Sequence, residues 1–295
     1  MKNTVFTGAG VAIVTPMHED GSIHYEKLTA LIEFQLKNHT DAIVICGTTG
    51  ESSTMTDEEH IRCIRHTVQV VKGRVPVIAG AGSNDTAYAV WLSHEAEEAG
   101  ADALLQVTPY YNKTSQRGLV RHFAAIAEGT SLPIILYNVP SRTGVTISLD
   151  AYRELCEIDN IVATKEASGD IAAIAALAAA CGDKLDIYSG NDNEIVPILS
   201  LGGKGVISVL SNVMPQETHD IVSLYLEGKA KESLALQLRL LDLCKALFID
   251  VNPIPVKEAL NLMGWQAGPC RLPLAELSQE HRAKLKAELA KQGLL

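Results

Sequence analysis

The feature that most narrows the fold is a texture that changes back and forth eight times. Short apolar runs recur: GVAIVTP (10–16), DAIVICG (41–47), VPVIAGAG (75–82), ADALLQVTP (101–109), PIILYNVP (133–140), IVATKEAS (161–168), DIYSGND (186–192) and GVISVL (205–210). They are apolar almost throughout rather than strictly alternating, as strands covered on both faces are. Amphipathic or short connecting segments follow them. HYEKLTALIEFQLKNH (24–39) places Leu28, Leu31, Ile32 and Leu36 on one stripe. The segment 56–73 opens on Thr56-x-x-Glu59, a capping box, and closes on Gly73. Eight such strand-then-helix units predict an α/β fold, a (β/α)8 TIM barrel.

Beyond about residue 229 the strand pattern stops. Helical stretches remain at 231–249, 255–263 and 275–291, separated by Asn252-Pro253 and Gly268-Pro269. The expected organisation is therefore a catalytic barrel over 1–228 and a C-terminal helical extension over 229–295.

Composition removes several function classes. The 295 residues are 47% hydrophobic, with a formal net charge of −10. A broad basic face for nucleic acid is not expected, and an anionic substrate requires a local cationic pocket. No run reaches the ~18 to 20 apolar residues of a membrane span. The first sixteen residues lack an apolar core with a cleavage site. Six cysteines are scattered without a C-x-x-C pair, which reads as reduced thiols in a cytoplasmic protein. The nine histidines form no H-E-x-x-H or paired spacing, so no metal is expected. A dinucleotide fingerprint, a P-loop and a G-x-S-x-G elbow are likewise missing.

In such barrels reactive groups gather at the C-terminal strand ends, where this sequence turns polar. The sharpest oddity is Lys165, late in the sixth run. A desolvated lysine becomes an amine nucleophile able to form a Schiff base. The alternative is an ion pair. Glu166 is ill placed for it, because adjacent strand residues face opposite sides; Asp186 or Glu194 remain open as partners. Tyr137 is either a core aromatic or a proton shuttle beside the lysine. Arg142, in SRTG, is either a solvated loop residue or a carboxylate clamp. In GTTGE (47–51), the Thr48 and Thr49 hydroxyls and N–H groups suit a carboxylate, though an ordinary polar turn reads the same way.

Taken together, GTTGE, TPYYNK, YNVPSRTG, KEASGD, SGND and GVISV resemble the dihydrodipicolinate synthase family in order and spacing. NPIPVKEALNLMG (252–264) and CRLPL (270–274) extend the resemblance over essentially the whole chain. It implies that Lys165 forms the imine with pyruvate. Tyr137 relays protons with Thr48 and with Tyr111, the latter reaching across a subunit interface. Thr49 joins Thr48 on the pyruvate carboxylate. Arg142 receives the carboxylate of aspartate semialdehyde, and the Gly190 and Ile207 carbonyls line the site. No metal or organic cofactor is implied, and the assembly is a homotetramer, a dimer of dimers. A lysine effector site would involve Ser52, His60, Asn84 and Tyr110. There Asp57 replaces a histidine and Tyr88 a glutamate of the inhibited pattern, which predicts weak or absent inhibition. The nearest rival is a sialic acid or keto-deoxy sugar acid aldolase of the same superfamily; Thr49 and Arg142 favour the synthase.

Overall fold

The computed structural model describes residues 4–295. Eight strands close into a barrel in chain order: β1 (Gly8–Ala12), β2 (Ala42–Ile45), β3 (Val77–Gly80), β4 (Ala103–Val107), β5 (Ile134–Asn138), β6 (Ile161–Glu166), β7 (Asp186–Ser189) and β8 (Gly205–Ser208). Every neighbouring pair is parallel, including the closure of β1 on β8. The helices are α1 (Tyr25–Lys37), α2 (Asp57–Val71), α3 (Thr86–Glu98), α4 (Gln116–Glu128), α5 (Pro140–Thr143), α6 (Leu149–Leu155), α7 (Ile171–Cys181), α8 (Ile195–Ser200), α9 (Pro215–Leu226), α10 (Ala230–Ala246), α11 (Ile254–Leu262) and α12 (Gln279–Lys291). This is the (β/α)8 barrel with a helical extension that the sequence predicts.

The boundaries move by a few residues. β1 starts at Gly8 rather than Gly10, and α12 starts at Gln279 rather than near 275. The capping box at α2 forms as read: Thr56 Oγ1 accepts from the Glu59 N–H and Glu59 accepts from the Thr56 N–H. An N-cap of this kind is worth about 1 kcal/mol.

Two apolar layers explain why the strands lack a polar face. Residues such as Val11, Ile43, Leu104 and Leu136 pack outward against the helices. Ala12, Val44, Leu105, Ile135, Tyr188 and Ile207 fill the barrel interior. A one-residue irregularity in β6 decides which layer its end joins. Ile134 pairs with Ile161, but Ile135 pairs with Ala163, so Val162 is extra. Ile161 lies in the outer layer, whereas Val162 and Ala163 both lie in the inner one. Strict alternation from Ile161 would turn Lys165 toward the helices. The bulge reverses the phase and turns it inward.

Candidate active site

A cavity of about 340 Å³ opens at the C-terminal ends of the strands. Its walls include Thr48, Thr49, Tyr137, Arg142, Lys165 and Gly190 from the barrel, and Phe248, Asp250, Val251 and Asn252 from the segment after α10. Lys165 and Tyr137 face each other across the β5–β6 ladder, where they are register partners. Both are buried.

The Lys165 ammonium lies 4.3 Å from the centre of the Tyr137 ring. Among the described residues it has no ion pair and no hydrogen bond. The ion-pair readings therefore fall away. Glu166 faces the opposite side and bonds Asn138, Tyr152 and Ser168. Glu194 accepts from Asn191, and Asp186 sits opposite Ala163 in the β6–β7 ladder. Burial lowers the Lys165 pKa to about 8, with buried Asp192 acting the other way and Arg142 adding to the fall. Burial likewise pushes Tyr137 up to about 12, so its phenol is a neutral proton donor at physiological pH. Glycine is required at position 190. A Cβ there would stand 2.7 Å from Ala167 Cβ and 3.1 Å from Lys165 Cε, closing the space that the lysine stem occupies.

The GTTGE segment forms a tight turn. Thr48–Gly50 is one 3-10 turn, flanked by left-handed residues Cys46 (φ 55°) and Glu51 (φ 59°). Thr15 Oγ1 donates to the Gly50 carbonyl at 2.8 Å and fixes the turn to the barrel rim. Thr49 Oγ1 accepts from Asn252 Nδ2 at 3.0 Å. The Asn252 carbonyl in turn accepts from the Arg142 guanidinium at 3.2 Å. One residue of the extension thus bridges the threonine turn and the arginine, and together they give the cavity a polar, cation-bearing rim. Arg142 rides on α5, which starts directly after β5 with Pro140 at its first position.

Some expected residues stand elsewhere. Ile207 is buried in the barrel interior and does not line the cavity. Tyr111 is 93% exposed, with φ of 66°, and does not line it either. The relay of Tyr137, Thr48 and Tyr111 is therefore not closed within one chain. Of the effector residues, Ser52 and Asn84 are half-buried and Tyr110 is exposed. His60 is turned inward, buried and bonded through Nε2 to the Gly80 carbonyl. Beside them Tyr88 donates to Asp57 at 2.7 Å. Sequence reasoning misses Asn252 and Asp192, although both lie in the quoted motifs. Asp192 is buried, with one carboxylate oxygen accepting from the Val209 and Leu210 N–H groups. Among the described residues no group of three His, Cys, Asp or Glu side chains is arranged to hold a metal ion.

Comparison with known proteins agrees with this geometry. The family model described as the dihydrodipicolinate synthetase family matches residues 5–292. A protein of Lachnoclostridium phytofermentans named 4-hydroxy-tetrahydrodipicolinate synthase is 60% identical over 292 residues, covering 99% of each chain. The dihydrodipicolinate synthase of Acinetobacter baumannii, solved in complex with pyruvate, superposes with a TM-score of 0.97 at 42% identity, covering 99% of this chain and all of that one. A monomeric dihydrodipicolinate synthase variant superposes with a TM-score of 0.96 at 40% identity, over 99% and 98% of the two chains. Likeness at this level over the whole length, on a barrel whose mouth holds the expected lysine, tyrosine and threonine turn, settles the kinship: the chain belongs to the dihydrodipicolinate synthetase family.

Proposed function

We propose that this chain is a 4-hydroxy-tetrahydrodipicolinate synthase, condensing pyruvate with L-aspartate 4-semialdehyde. The observation that carries the reading is a buried lysine amine, unpaired among the described residues and stacked on Tyr137 at the wall of a polar-rimmed cavity. Neutral Lys165 attacks C2 of pyruvate, and loss of water leaves an iminium. The carboxylate of pyruvate sits on Thr48 and Thr49, with Gly190 beside the lysine stem. A proton then leaves the methyl carbon, giving an enamine whose terminal carbon attacks the semialdehyde carbonyl. Arg142 holds the second carboxylate bidentately. Attack of the semialdehyde's own amine on the imine carbon closes the ring and expels Lys165, which regains its proton. Tyr137 supplies and takes back protons at the forming and breaking C–N and C–O bonds. The imine is the electron sink, so the proposal includes no metal or organic cofactor.

The exposed, left-handed Tyr111 suits a residue that completes a neighbouring subunit's relay. We place the chain in a homotetramer built as a dimer of dimers, in the cytoplasm. No helix among the described residues is long and apolar enough to cross a membrane. The barrel 1–228 and the extension 229–295 form one functional unit, because Asn252 belongs to both halves of the site. In the effector region, the Tyr88 phenol stands at the position of the family glutamate and donates to the Asp57 carboxylate, which supplies only part of the missing charge. The expected outcome is half-inhibition by lysine only above about 1 mM, a ~4.1 kcal/mol binding event.

Pyruvate with borohydride tests the covalent step: one reduced pyruvyl group is expected, mapped to Lys165. Turnover of pyruvate with aspartate semialdehyde, run beside cleavage of N-acetylneuraminate, tests the substrate. Labelling at another residue, or cleavage of the sugar acid in preference to condensation, overturns the proposal.

A further inference from the structure

Lys165 carries the reaction proposed above, yet among the described residues nothing bonds to its ammonium. Its buried stem packs beside Gly190 and its ammonium rests on the Tyr137 ring. The amine is therefore placed by where the backbones of β5 and β6 hold these two residues, and β6 ends one residue later, at Glu166. β5 ends at the partner of that residue, Asn138. The last two rungs of this ladder are therefore Tyr137–Lys165, facing the cavity, and Asn138–Glu166, facing the helices.

The outer rung is tied by side chains. Asn138 Nδ2 donates to both Glu166 oxygens, at 3.1 and 3.2 Å. Tyr152, on α6, donates to Glu166 at 2.5 Å, and its hydroxyl also meets Thr164 Oγ1 at 3.0 Å. Ser168 donates at 2.9 Å. Asn138 Oδ1 accepts from the Ile147 N–H at 3.2 Å. All these groups are neutral. Burying a carboxylate among neutral donors is expensive compared with an apolar residue of similar size. Stability alone does not account for an acid here. Asn138, Tyr152 and Glu166 are buried, but on one side the network borders a second cavity of about 440 Å³ lined by Asn138, Tyr152, Glu166 and Ser168, so packing on that side is incomplete.

We propose that the Asn138–Glu166 bond, with Tyr152 and Ser168 as supports, is a positioning device that locks the ends of β5 and β6 so that Lys165 and Tyr137 meet the same substrate atom. This rests on the imine chemistry above. Adjacent strand residues are about 3.3 Å apart, so even a partial slip or splay of the last rung removes the amine from attack distance. Asn138 and Glu166 touch no reacting atom; they act through the two residues that do.

The test reads the rate at which borohydride traps pyruvate on Lys165. Glu166→Ala and Asn138→Ala are each expected to slow trapping about tenfold. The KM for pyruvate should stay within about threefold, because the threonine turn is untouched. Glu166→Gln keeps an acceptor for Asn138 and should return to within about threefold of the native rate. The double alanine variant should be no slower than the slower single one, since both cut the same bond. Native trapping rates in the alanine variants, with only a lowered melting temperature, would show that the network is purely structural. A Glu166→Gln variant as slow as Glu166→Ala overturns the bond in favour of charge. If Glu166→Ala does not fold, Asn138→Ala, which removes no charge, decides alone. Absence of labelling in the native protein refutes the imine reading instead, so the two failures are distinct.

Discussion

Removing the ammonium of Lys257 should destabilise the protein more than almost any other single change outside the hydrophobic core. Lys257 lies on α11 and reaches Glu51, the last residue of GTTGE, at 2.8 Å. The two side chains are 2% and 1% exposed. Lys257 also donates to the Pro269 carbonyl at 2.5 Å, and the second Glu51 oxygen accepts from the Arg271 N–H at 2.8 Å. In Lys257→Met the stem is replaced by a side chain of similar volume, but Glu51 keeps only the Arg271 N–H and the weak Cys270 thiol as donors for a buried charge. Breaking a buried pair from one side costs about 3–5 kcal/mol. Unfolding entropy of roughly 2.1 cal/mol/K per residue turns that into a Tm lower by about 5 to 8 °C for a chain of this length.

The assay is thermal unfolding followed by circular dichroism, with scan rate and protein concentration fixed. The control is Glu51→Leu combined with Lys257→Met. Replacing both members of a buried pair by apolar groups is often close to neutral, so the double variant should recover at least half of the loss. Full recovery is not expected, because the Arg271 N–H and Pro269 carbonyl lose their partners. The single variant should also weaken pyruvate binding, since Glu51 ends the turn that carries Thr48 and Thr49. A single variant within about 1 °C of the native Tm, or a double variant worse than the single, refutes the reasoning from unpaired buried charge.

Lys165, with its pKa lowered to about 8, should make kcat/KM for pyruvate rise with pH and level off above that value; Asp192→Asn should move the inflection lower, because the Asp192 charge favours the ammonium. An inflection near the ~10.4 of free lysine would show that the amine is solvated. Arg142→Ala should raise the KM for aspartate semialdehyde far more than that for pyruvate; equal losses with each substrate varied would remove Arg142 from the second carboxylate. His219, half-buried and bonded to Asp41 at 2.9 Å, has its pKa raised chiefly by that bond. Its contribution to stability is therefore complete below the unfolded value of ~6.5 and lost as pH rises through the folded value. The Tm difference between native protein and His219→Gln should be full below about pH 6.5 and shrink as the pH is raised further, and a difference that grows with pH contradicts the pairing.

The barrel was legible because its parallel strands, covered on both faces, are continuous apolar runs, and because α2 announces its start with a capping box. Lys165, Tyr137, Thr48, Thr49 and Arg142 were legible as polar residues at strand ends. The direction of Lys165 was not. Alternation shows only that it opposes Glu166, and the bulge at Val162, a backbone event between apolar residues, decides which of them enters the barrel. Lys257 was equally hidden. In IPVKEALNL it reads as one of the charges on an amphipathic helix, and its partner Glu51 stands 206 residues away. A buried ion pair leaves no periodic trace, since neither residue alters the apolar pattern around it.

Asn252 blurs the division of the chain into barrel and extension. The strand pattern ends with β8, which suggests that chemistry ends there too. Yet the Asn252 side chain fixes Thr49 and its carbonyl fixes Arg142, the residues assigned to the two substrate carboxylates. Those two residues follow different strands of the barrel and do not bond each other; the extension supplies the link. Glu51 and Lys257 repeat the arrangement one layer further from the cavity. An extension that merely covered helices would contact α9 and α8 and stop. This one bonds the barrel's C-terminal end at several points, among them Thr49 and Glu51 in the threonine turn and Arg142 on α5. The mouth is thus set by the extension as much as by the strands, and a barrel truncated after α9 would retain its lysine while losing the geometry that aims a substrate at it.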